Sequence, residues 1–331
     1  MQRRRESKKS WLAPTARLQA PRHSTQATDV NLVDTGNAIL ADGFSRIQTE
    51  VDDAFDAFLP VPDDTRARLV EAMRYAAIGS GKRVRPLLVA ATADLFGVDR
   101  HAAVRAGCAV EAIHAYSLIH DDLPCMDDDD LRHGKPTLHK AFDEATAVLA
   151  GDSLHALAFE ILSDHATSSD PFTRSELILT LAGASGMNGM AGGQMMDIAA
   201  DSQEYDLHSI TRLQQLKTGA LLAASVEMGA VLGKVPLEGR AHLRAYARDI
   251  GLAFQIADDL LDHEGDETKA GKALRKDEGQ GKQTFVTLMG PEGARDQARA
   301  LVEQAVGHLS QHGKDAALLG ALARFIVERD R

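Results

Sequence analysis

The sequence predicts an all-α fold, built as a single large helical bundle. Apolar residues recur at spacings of three and four over most of the chain, which is the periodicity of amphipathic helices. Aromatic residues make up only 5% of the chain, whereas alanine is frequent. That composition is typical of helices that pack closely through small side chains. The period-two alternation of a half-buried strand is scarce.

Helices are predicted at ten places, with glycine and proline confined mostly to the joints between them. Their approximate ranges are 36–59, 64–78, 86–97, 99–121, 141–166, 172–186, 207–232, 238–263, 287–310 and 314–329. The Pro60-Val61-Pro62 stretch breaks the first helix, and the Gly79-Ser80-Gly81 turn ends the second. Pro86 opens the third, because proline is tolerated in the first turn of a helix.

The first 35 residues form a basic extension that differs from the remaining domain, residues 36–331. Residues 1–28 carry seven lysines and arginines against one acidic residue and are rich in serine, threonine and proline. They lack the apolar core of a secretory signal. Their composition resembles an organelle transit peptide. A disordered extension and an early start codon are the alternatives, and we expect a cytoplasmic protein.

Composition argues against several classes of protein. The net charge is −11 and there is no basic groove-binding module, so we expect no nucleic-acid partner. Cys108 and Cys125 form neither a CxxC pair nor a disulfide framework, which fits a reducing cytoplasm. No uninterrupted apolar run reaches the length of a transmembrane helix, so no stable membrane insertion is expected.

An acidic cluster dominates the middle of the chain, with six aspartates in the ten residues 121–130. The apolar, helix-compatible stretch 109–119 leads straight into it. Carboxylates at the end of a buried helix are costly unless neutralised, and hard divalent cations neutralise them through oxygen ligands. Asp121 and Asp127 lie about 240° apart on an ideal helix, but share a face if two residues around Pro124 bulge out. A solvated acidic loop is the alternative.

A second acidic cluster is simpler in geometry. Asp258 and Asp262 are four residues apart, so both carboxylates lie on one helix face without any bulge. Gln255 lies one turn earlier on that flank. Two carboxylate clusters on apolar helices indicate a cavity with metal on two facing walls, with helix-capping acids as the alternative.

Cations stand where an anion would need them. The basic turn 81–86 follows a glycine turn and precedes a helix, so backbone N–H groups and cations converge on one point. Lys217 lies inside an apolar helix, and Lys272 and Lys282 flank a glycine-rich loop after the second cluster. Together with the acids, this set predicts an apolar substrate with a diphosphate head, bound through Mg²⁺ and Lys/Arg.

These motifs, in this order, resemble those of the short-chain trans-isoprenyl diphosphate synthases, and most closely the bacterial farnesyl diphosphate synthases. The similarity runs from about residue 36 to the C-terminus. The residues that carry it are Gly81-Lys82-Arg83-Val84-Arg85-Pro86, His114, Asp121-Asp122, Asp127, Arg132, Lys217-Thr218, Phe254-Gln255 and Asp258-Asp259-Leu260-Leu261-Asp262.

The resemblance implies an all-α bundle around a deep central cavity, a homodimer and three Mg²⁺ ions. The implied metal ligands are Asp121, Asp127 and Asp258, with Asp122 and Asp262 close by. The implied contacts to an allylic diphosphate are Arg132, Lys217 and Lys282, with Lys272 nearby. The implied isopentenyl diphosphate site comprises Gly81, Lys82, Arg85, His114 and His133. Thr218, Gln255 and the Lys217 carbonyl are implied to lie beside the reacting carbocation.

The implied activity is a Mg²⁺-dependent prenyl transfer. Isopentenyl diphosphate would condense with dimethylallyl or geranyl diphosphate by ionisation, condensation and elimination to give farnesyl diphosphate. Tyr116 lies five residues before Asp121, about 7.5 Å deeper along the helix, and in the family an aromatic residue here shortens the product. The alternatives are a geranylgeranyl or geranyl diphosphate synthase, a non-catalytic partner subunit and a terpene cyclase.

Two residues depart from the family pattern. The pair Arg132-His133 stands where paired arginines are usual. Since histidine has a reference pKa near 6.5, we expect weaker isopentenyl diphosphate binding that improves below neutral pH. Arg275 stands where glycine is common in the loop 272–277, which makes closure of that loop less certain.

Overall fold

The computed structural model describes residues 38–79, 81–200, 205–264 and 283–328. Its helices, in chain order, are α1 (Ala38–Phe58), α2 (Ala67–Ala77), α3 (Val84–Asp94), α4 (Arg100–Asp121), α5 (Leu138–Ala141), α6 (Glu144–Ser163), α7 (Pro171–Ser185), α8 (Met190–Ala200), α9 (Leu207–Gln214), α10 (Ala220–Leu232), α11 (Ala241–Glu264), α12 (Phe285–His308) and α13 (Ala317–Glu328). The all-α prediction is confirmed.

Three kinds of element interrupt the α-helices. A π-helical segment, Gln215–Gly219, joins α9 to α10, and 3₁₀ turns Leu237–Arg240 and Ser310–Ala316 precede α11 and α13. A short antiparallel hairpin pairs β1 (Leu131–Arg132) with β2 (Lys135–Pro136). The sequence pattern does not predict this hairpin, whose strands are too short to show an alternation.

Helix α4 is the axis of the bundle. It packs against α1, α3, α6 and α10, and its residues from Ala103 to Ile113 are all buried. Small side chains allow this closeness: a Cβ added at Gly107 would lie only 3.1 Å from Pro86 Cα. Asp99 fixes the start of the helix by accepting a hydrogen bond from Ala102 N at 3.1 Å. The end of α4 carries the first acidic cluster into the site.

Helix α11 carries the second acidic cluster and packs most extensively against α12. The buried Asp259 joins the two by accepting a hydrogen bond from Phe285 N, the first residue of α12, at 3.0 Å. Tyr246 of α11 is fully buried, and its hydroxyl donates to Leu319 O of α13 at 2.9 Å. The helix that carries the second acidic cluster is therefore held by two other helices.

Among the described helices, α6 is long and apolar enough to cross a membrane by length and composition. It contains Asp152 and Glu160, so it is not an uninterrupted apolar run. It packs against α4, α2 and α7, and Ala147, Leu154 and other residues on that side are buried. These contacts make α6 a helix of the bundle core.

Candidate active site

The first acidic cluster is brought together by a turn rather than by a bulged helix. Helix α4 ends at Asp121, and the chain then folds back so that Asp127 N donates to Asp121 O at 2.8 Å. Leu123 O accepts hydrogen bonds from Met126 N and Asp128 N within the same turn. The expected bulge around Pro124 is wrong, because the helix has already ended and the proline lies in the turn.

Burial and neighbouring charges both shift the pKa of Asp121. Burial raises the pKa of its carboxyl to about 6, an effect that Lys217 opposes and Asp127 reinforces. A carboxylate in this setting favours binding a cation, because a cation relieves both the desolvation and the repulsion from Asp127.

The neighbouring Asp122 has a different setting. It is buried, and it accepts a hydrogen bond from Arg132 Nε at 2.9 Å. Burial raises its pKa, while the Arg132 guanidinium lowers it. Arg132 also contacts Asp129 at 3.3 Å, so the hairpin is tied to the acidic turn by two carboxylates. In this state Arg132 is paired with protein acids beside the site.

His133 lies at the tip of the hairpin. Arg132 pairs with Lys135, which leaves His133 and Gly134 as the two turn residues, with φ values of 51° and 74°. A two-residue turn with both φ positive matches the twist of the flanking strands, and histidine adopts this conformation more readily than most residues. The exposed His133 therefore stands next to Arg132 at the rim of the acidic turn.

Lys217 lies in the π-helical segment and interacts electrostatically with Asp121 and Asp127 of the acidic turn. Its Nζ is 2.5 Å from Asp197 Oδ2 of α8. Burial lowers its pKa, but Asp197, Asp121 and Asp127 more than offset this, so the pKa is raised and Lys217 is a cation at neutral pH. Short π-helical insertions are rare in proteins, and those that occur are often found at functional sites. The sequence places Lys217 in an apolar helix but does not predict the π-helix.

Glycine at position 193 allows α8 to touch the π-helical segment. A Cβ there would lie 2.2 Å from Lys217 N and 2.6 Å from Lys217 Cα, a distance that backbone atoms cannot accommodate. On the other side, a Cβ at Gly251 of α11 would lie 3.2 Å from Gly219 Cα. The absence of a side chain at Gly193 thus lets the backbone of α8 approach the π-helical segment closely.

Arg85 and His114 line one side of the cavity. Arg85 Nε is buried and makes no hydrogen bond with any described residue. Burial lowers the Arg85 pKa, but a guanidinium remains charged at neutral pH. Burial and the nearby Arg85, His133 and Arg132 hold the pKa of His114 well below its ordinary value, so its imidazole is neutral. A buried guanidinium with an unsatisfied N–H donor suits an anionic ligand.

The side chains of the basic turn point in two different directions. Gly81 has a φ of 74°, a conformation that glycine adopts without strain. Lys82 Nζ lies 4.9 Å from the centroid of the Phe325 ring on α13. Arg85 faces the cavity instead. The structure thus brings Arg85 and His114 to the cavity and holds Lys82 against the C-terminal helix.

The second acidic cluster lies near the end of α11, where Asp258 and Asp262 are four positions apart in the helix. Asp258 interacts electrostatically with Arg85, which links the end of α11 to the basic turn. Gln255 is partly buried one turn earlier. The predicted Lys272, Arg275 and Lys282 lie outside the described residues.

A cavity of about 350 Å³ opens between α3, α4, α8 and the π-helical segment. Asp121, Lys217 and Thr218 contribute polar groups to its wall, and Leu118, Met190, Met195, Ile198 and Leu221 make the remainder largely apolar. The volume and lining suit an apolar chain with a charged head group.

Tyr116 narrows this cavity within an aromatic cluster. Its ring meets His155 edge-on at 5.0 Å between centroids, and His120 at 5.6 Å. His155 in turn packs on Phe159 at 5.3 Å. A Cβ at Gly151 would lie 2.2 Å from His120 Nε2, so glycine there makes room for that ring. The sequence motifs do not point to His155 and Phe159, whose local signal is a spacing of four on α6.

The comparison with protein families decides where this site belongs. The family model described as polyprenyl synthetase matches residues 66–321, a range that contains both acidic clusters, the basic turn and Lys217. The chain belongs to the polyprenyl synthetase family.

Curated and solved relatives of this polyprenyl synthetase agree with the assignment. The farnesyl diphosphate synthase of Escherichia coli (strain K12) is 46% identical over 268 residues, covering 80% of this chain and 90% of the relative. Geranylgeranyl pyrophosphate synthase 11 of Arabidopsis thaliana is 44% identical over 276 residues, covering 81% and 77%. The crystal structure of an FPP/GFPP synthase from Zymomonas mobilis is 58% identical with a TM-score of 0.82, covering 87% and 99%.

Proposed function

We propose that this polyprenyl synthetase is a Mg²⁺-dependent prenyltransferase that condenses isopentenyl diphosphate with dimethylallyl or geranyl diphosphate to give farnesyl diphosphate. One observation carries the proposal: Asp121, Asp127 and Lys217 interact at the mouth of an apolar cavity that Tyr116 narrows. Several curated farnesyl diphosphate synthases between 41% and 46% identical over most of the chain support it.

The acidic turn fits Mg²⁺ bound together with substrate. Among the residues that the structure describes, no three carboxylate or imidazole groups surround a common point. Mg²⁺ commonly takes one or two protein carboxylates and completes its shell with substrate phosphates and water. Asp121 and Asp127 would supply such carboxylates on one wall and Asp258 on the other, with three ions expected. Bound Mg²⁺ would withdraw charge from the leaving diphosphate.

Cationic side chains complete the stabilisation of the leaving group. Lys217 and Arg132 both act electrostatically on Asp121, and they would provide positive charge where the allylic diphosphate accumulates negative charge. Preorganised charges of this kind stabilise a transition state strongly when water is excluded. We assign Lys272 and Lys282 to the same diphosphate from the family resemblance.

The second substrate would bind on the side of the basic turn. Arg85 and the neutral His114 offer a cation and an imidazole N–H, and Gly81, Lys82 and His133 complete the proposed isopentenyl diphosphate site. The double bond then attacks the allylic cation, a C–C bond forms, and a proton passes to the released diphosphate.

Dipoles and apolar walls protect the cation during that step. Thr218 lines the cavity, and we assign its carbonyl, that of Lys217 and the Gln255 side chain to the surroundings of the positive carbon. The apolar lining excludes water, which would otherwise trap the cation as an alcohol.

Tyr116 would favour a fifteen-carbon product, because its ring lines the cavity and is backed by His155, so it would block a longer chain. A geranylgeranyl diphosphate synthase is the second candidate. It is favoured by the Leu-Pro-Cys-Met and Lys-Pro-Thr sequences at 123–126 and 135–137, which also occur in such enzymes.

A homodimer is proposed from the exposed faces of α6 and α7. Leu149 is 55% exposed, and Phe172 and Leu179 are 84% and 69% exposed on the neighbouring helix. Large apolar side chains exposed on adjacent helices mark a contact surface, and a second copy would bury them. We further propose a cytoplasmic enzyme with no nucleic-acid partner and no membrane insertion. Its domain would begin after the basic extension 1–35.

Product analysis tests the function directly. Purified protein is incubated with Mg²⁺, dimethylallyl diphosphate and excess isopentenyl diphosphate, and the dephosphorylated products are identified by mass spectrometry. A fifteen-carbon alcohol is expected. A twenty-carbon alcohol would retain the mechanism and reject the proposed product length. An absence of condensation despite metal binding would favour a non-catalytic partner subunit.

A further inference from the structure

Arg83 stands between the two cations proposed for isopentenyl diphosphate, yet its own side chain is buried, with 3% of the residue exposed. Its guanidinium donates to Glu111 Oε1 at 2.9 Å, Asp52 Oδ1 at 2.7 Å and Ala77 O at 2.6 Å. These acceptors belong to α4, α1 and the end of α2. Arg83 is therefore engaged with protein groups on three helices, unlike the cavity-facing Arg85.

The backbone of Arg83 sets the course of the basic turn. Its φ of 56° and ψ of 37° are left-handed, a conformation that is unfavourable for a residue with a Cβ. Such a conformation persists only where surrounding contacts determine it. The three hydrogen bonds of the guanidinium provide those contacts. Because α3 begins at the next residue, the left-handed step at Arg83 determines how Lys82 and Arg85 emerge on either side.

Asp52 ties the basic turn and the glycine turn before it to α1. Its Oδ1 accepts a hydrogen bond from Gly79 N at 3.2 Å as well as the bond from Arg83. One carboxylate thus fixes Gly79, which precedes the basic turn, and Arg83 within it. The side chain of Asp52 is 24% exposed, so a change there does not leave an empty space in the core.

Glu111 connects the turn to the wall of the cavity. It lies on α4, three residues before His114, and so about one helical turn away. Its carboxylate is buried and also acts electrostatically on Arg85. The planar fork of an arginine is suited to such a site, because it can serve several acceptors in fixed directions where an ammonium cannot.

We propose that the cluster formed by Asp52, Arg83 and Glu111 sets the geometry of the isopentenyl diphosphate site, with Arg83 a positioning residue that does not touch substrate. The cluster holds the basic turn at a fixed distance from α4. It thereby aligns Arg85 with His114 for one diphosphate and leaves the carboxylate site of the allylic diphosphate unaffected. This inference rests on the proposed prenyltransferase function.

The test compares two substitutions on α1. Asp52→Asn keeps the shape and an oxygen for Gly79 N–H, but removes the charge that holds Arg83. Asp56→Asn is the control, since Asp56 lies one turn further along α1 and pairs with Arg74 without contacting the basic turn. Steady-state kinetics of both variants give separate KM values for isopentenyl and geranyl diphosphate, and circular dichroism verifies folding.

For Asp52→Asn we expect KM for isopentenyl diphosphate to rise by about tenfold, equivalent to roughly 1.4 kcal/mol. KM for geranyl diphosphate should stay within a factor of about two. Asp56→Asn should match the wild type in both. An unchanged isopentenyl KM in folded Asp52→Asn, or an equal rise in both KM values, overturns the proposal.

Arg83→Lys serves if Asp52→Asn does not fold, since it keeps the charge but loses the fork. The same selective rise in KM would support the proposal, and an unchanged KM would overturn it. The wild-type enzyme separates this inference from the function on which it rests. A wild type without condensation activity rejects the prenyltransferase assignment, whereas an active wild type with unaltered variants rejects only the role of the cluster.

Discussion

Replacing Asp121 by asparagine separates the energetic cost of the acidic turn from its use in catalysis. Burial raises the pKa of Asp121 to about 6, against an ordinary value of 3.8. That difference corresponds to about 3 kcal/mol of unfavourable free energy for the charged form, at about 1.36 kcal/mol per pKa unit. Because the side chain is partly solvated at the mouth of the cavity, we expect about 1–2 kcal/mol. Asp121→Asn should be more stable than the wild type by that amount at pH 7.5 without metal.

The pH dependence of this gain has a definite sign. Since the folded-state pKa of Asp121 lies above the unfolded value, the folded protein holds the proton more tightly. The wild type therefore bears the full penalty above about pH 6, and the penalty disappears as pH falls towards 3.8. The stability difference between Asp121→Asn and wild type should be largest at pH 7.5 and shrink steadily between pH 6 and pH 4.

Although Asp121→Asn should raise the stability, it should lower the catalytic rate. Asparagine cannot supply the anionic oxygen that we assign to Mg²⁺, so kcat should fall by about 10²–10³-fold, the usual effect of removing one electrostatic contact to a developing charge. Added Mg²⁺ with inorganic diphosphate should raise the Tm of wild type more than that of the variant, because ligands stabilise only the state that binds them.

Urea unfolding from pH 4 to pH 7.5, followed by circular dichroism, measures the stability difference, and product formation measures kcat. Asp128→Asn is the matched control. Asp128 is exposed in the same turn and has a φ of 49°, a left-handed conformation that asparagine adopts equally well. It should alter neither quantity appreciably. The reasoning is refuted if Asp121→Asn is no more stable than wild type at pH 7.5, or if its advantage does not vary with pH.

Three further outcomes are expected. Tyr116→Ala opens the cavity and should shift the product from fifteen to twenty carbons, which mass spectrometry would detect. Gly193→Ala drives a methyl group into the backbone of Lys217 and should destabilise the protein by about 1–3 kcal/mol or more. By contrast, Gly183→Ala, in open space on α7, should stabilise it by about 0.5–1 kcal/mol in denaturant unfolding. His133→Arg should lower KM for isopentenyl diphosphate at pH 7.5 and abolish its improvement below neutral pH.

Each of these three predictions can be contradicted by a specific experimental result. An unchanged fifteen-carbon product in Tyr116→Ala would mean that other residues limit the chain. Equal stability of the two glycine variants would mean that α8 does not press against the π-helical segment. An unaltered KM and pH profile in His133→Arg would show that the second arginine of the family pattern is not needed here.

Local sequence patterns predict the bundle well because helix formation depends on spacing along a single segment. All ten predicted helices are present, with boundaries that differ by a few residues. Two of the described helices, α8 and the four-residue α5, are not predicted. In α8, Gly192 and Gly193 lower the intrinsic helix propensity. Its stability comes from contact with the π-helical segment, which the sequence of α8 alone does not reveal.

The acidic turn likewise combines a feature that residue spacing predicts with one that only the folded structure shows. Residue types and spacing predict that Asp121 and Asp127 act together, but helix geometry predicts a bulged helix where the structure has a turn. The pair forms because Asp127 N bonds back to Asp121 O after the helix has ended. A turn of this kind depends on hydrogen bonds that a helical periodicity does not encode.

The sequence by itself predicted the helical fold and the family, because these follow from residue types and from spacings along the chain. The diphosphate ligand that it indicates stays a proposal. Asp258 and Asp262 need only helix geometry to share a face. The tertiary structure alone decided that Lys217 bonds Asp197, that Arg83 bonds Asp52 and Glu111, and that Tyr116 meets His155. Those partners lie 20 to 39 residues apart in the chain, and only the packing of separate helices brings their side chains into contact.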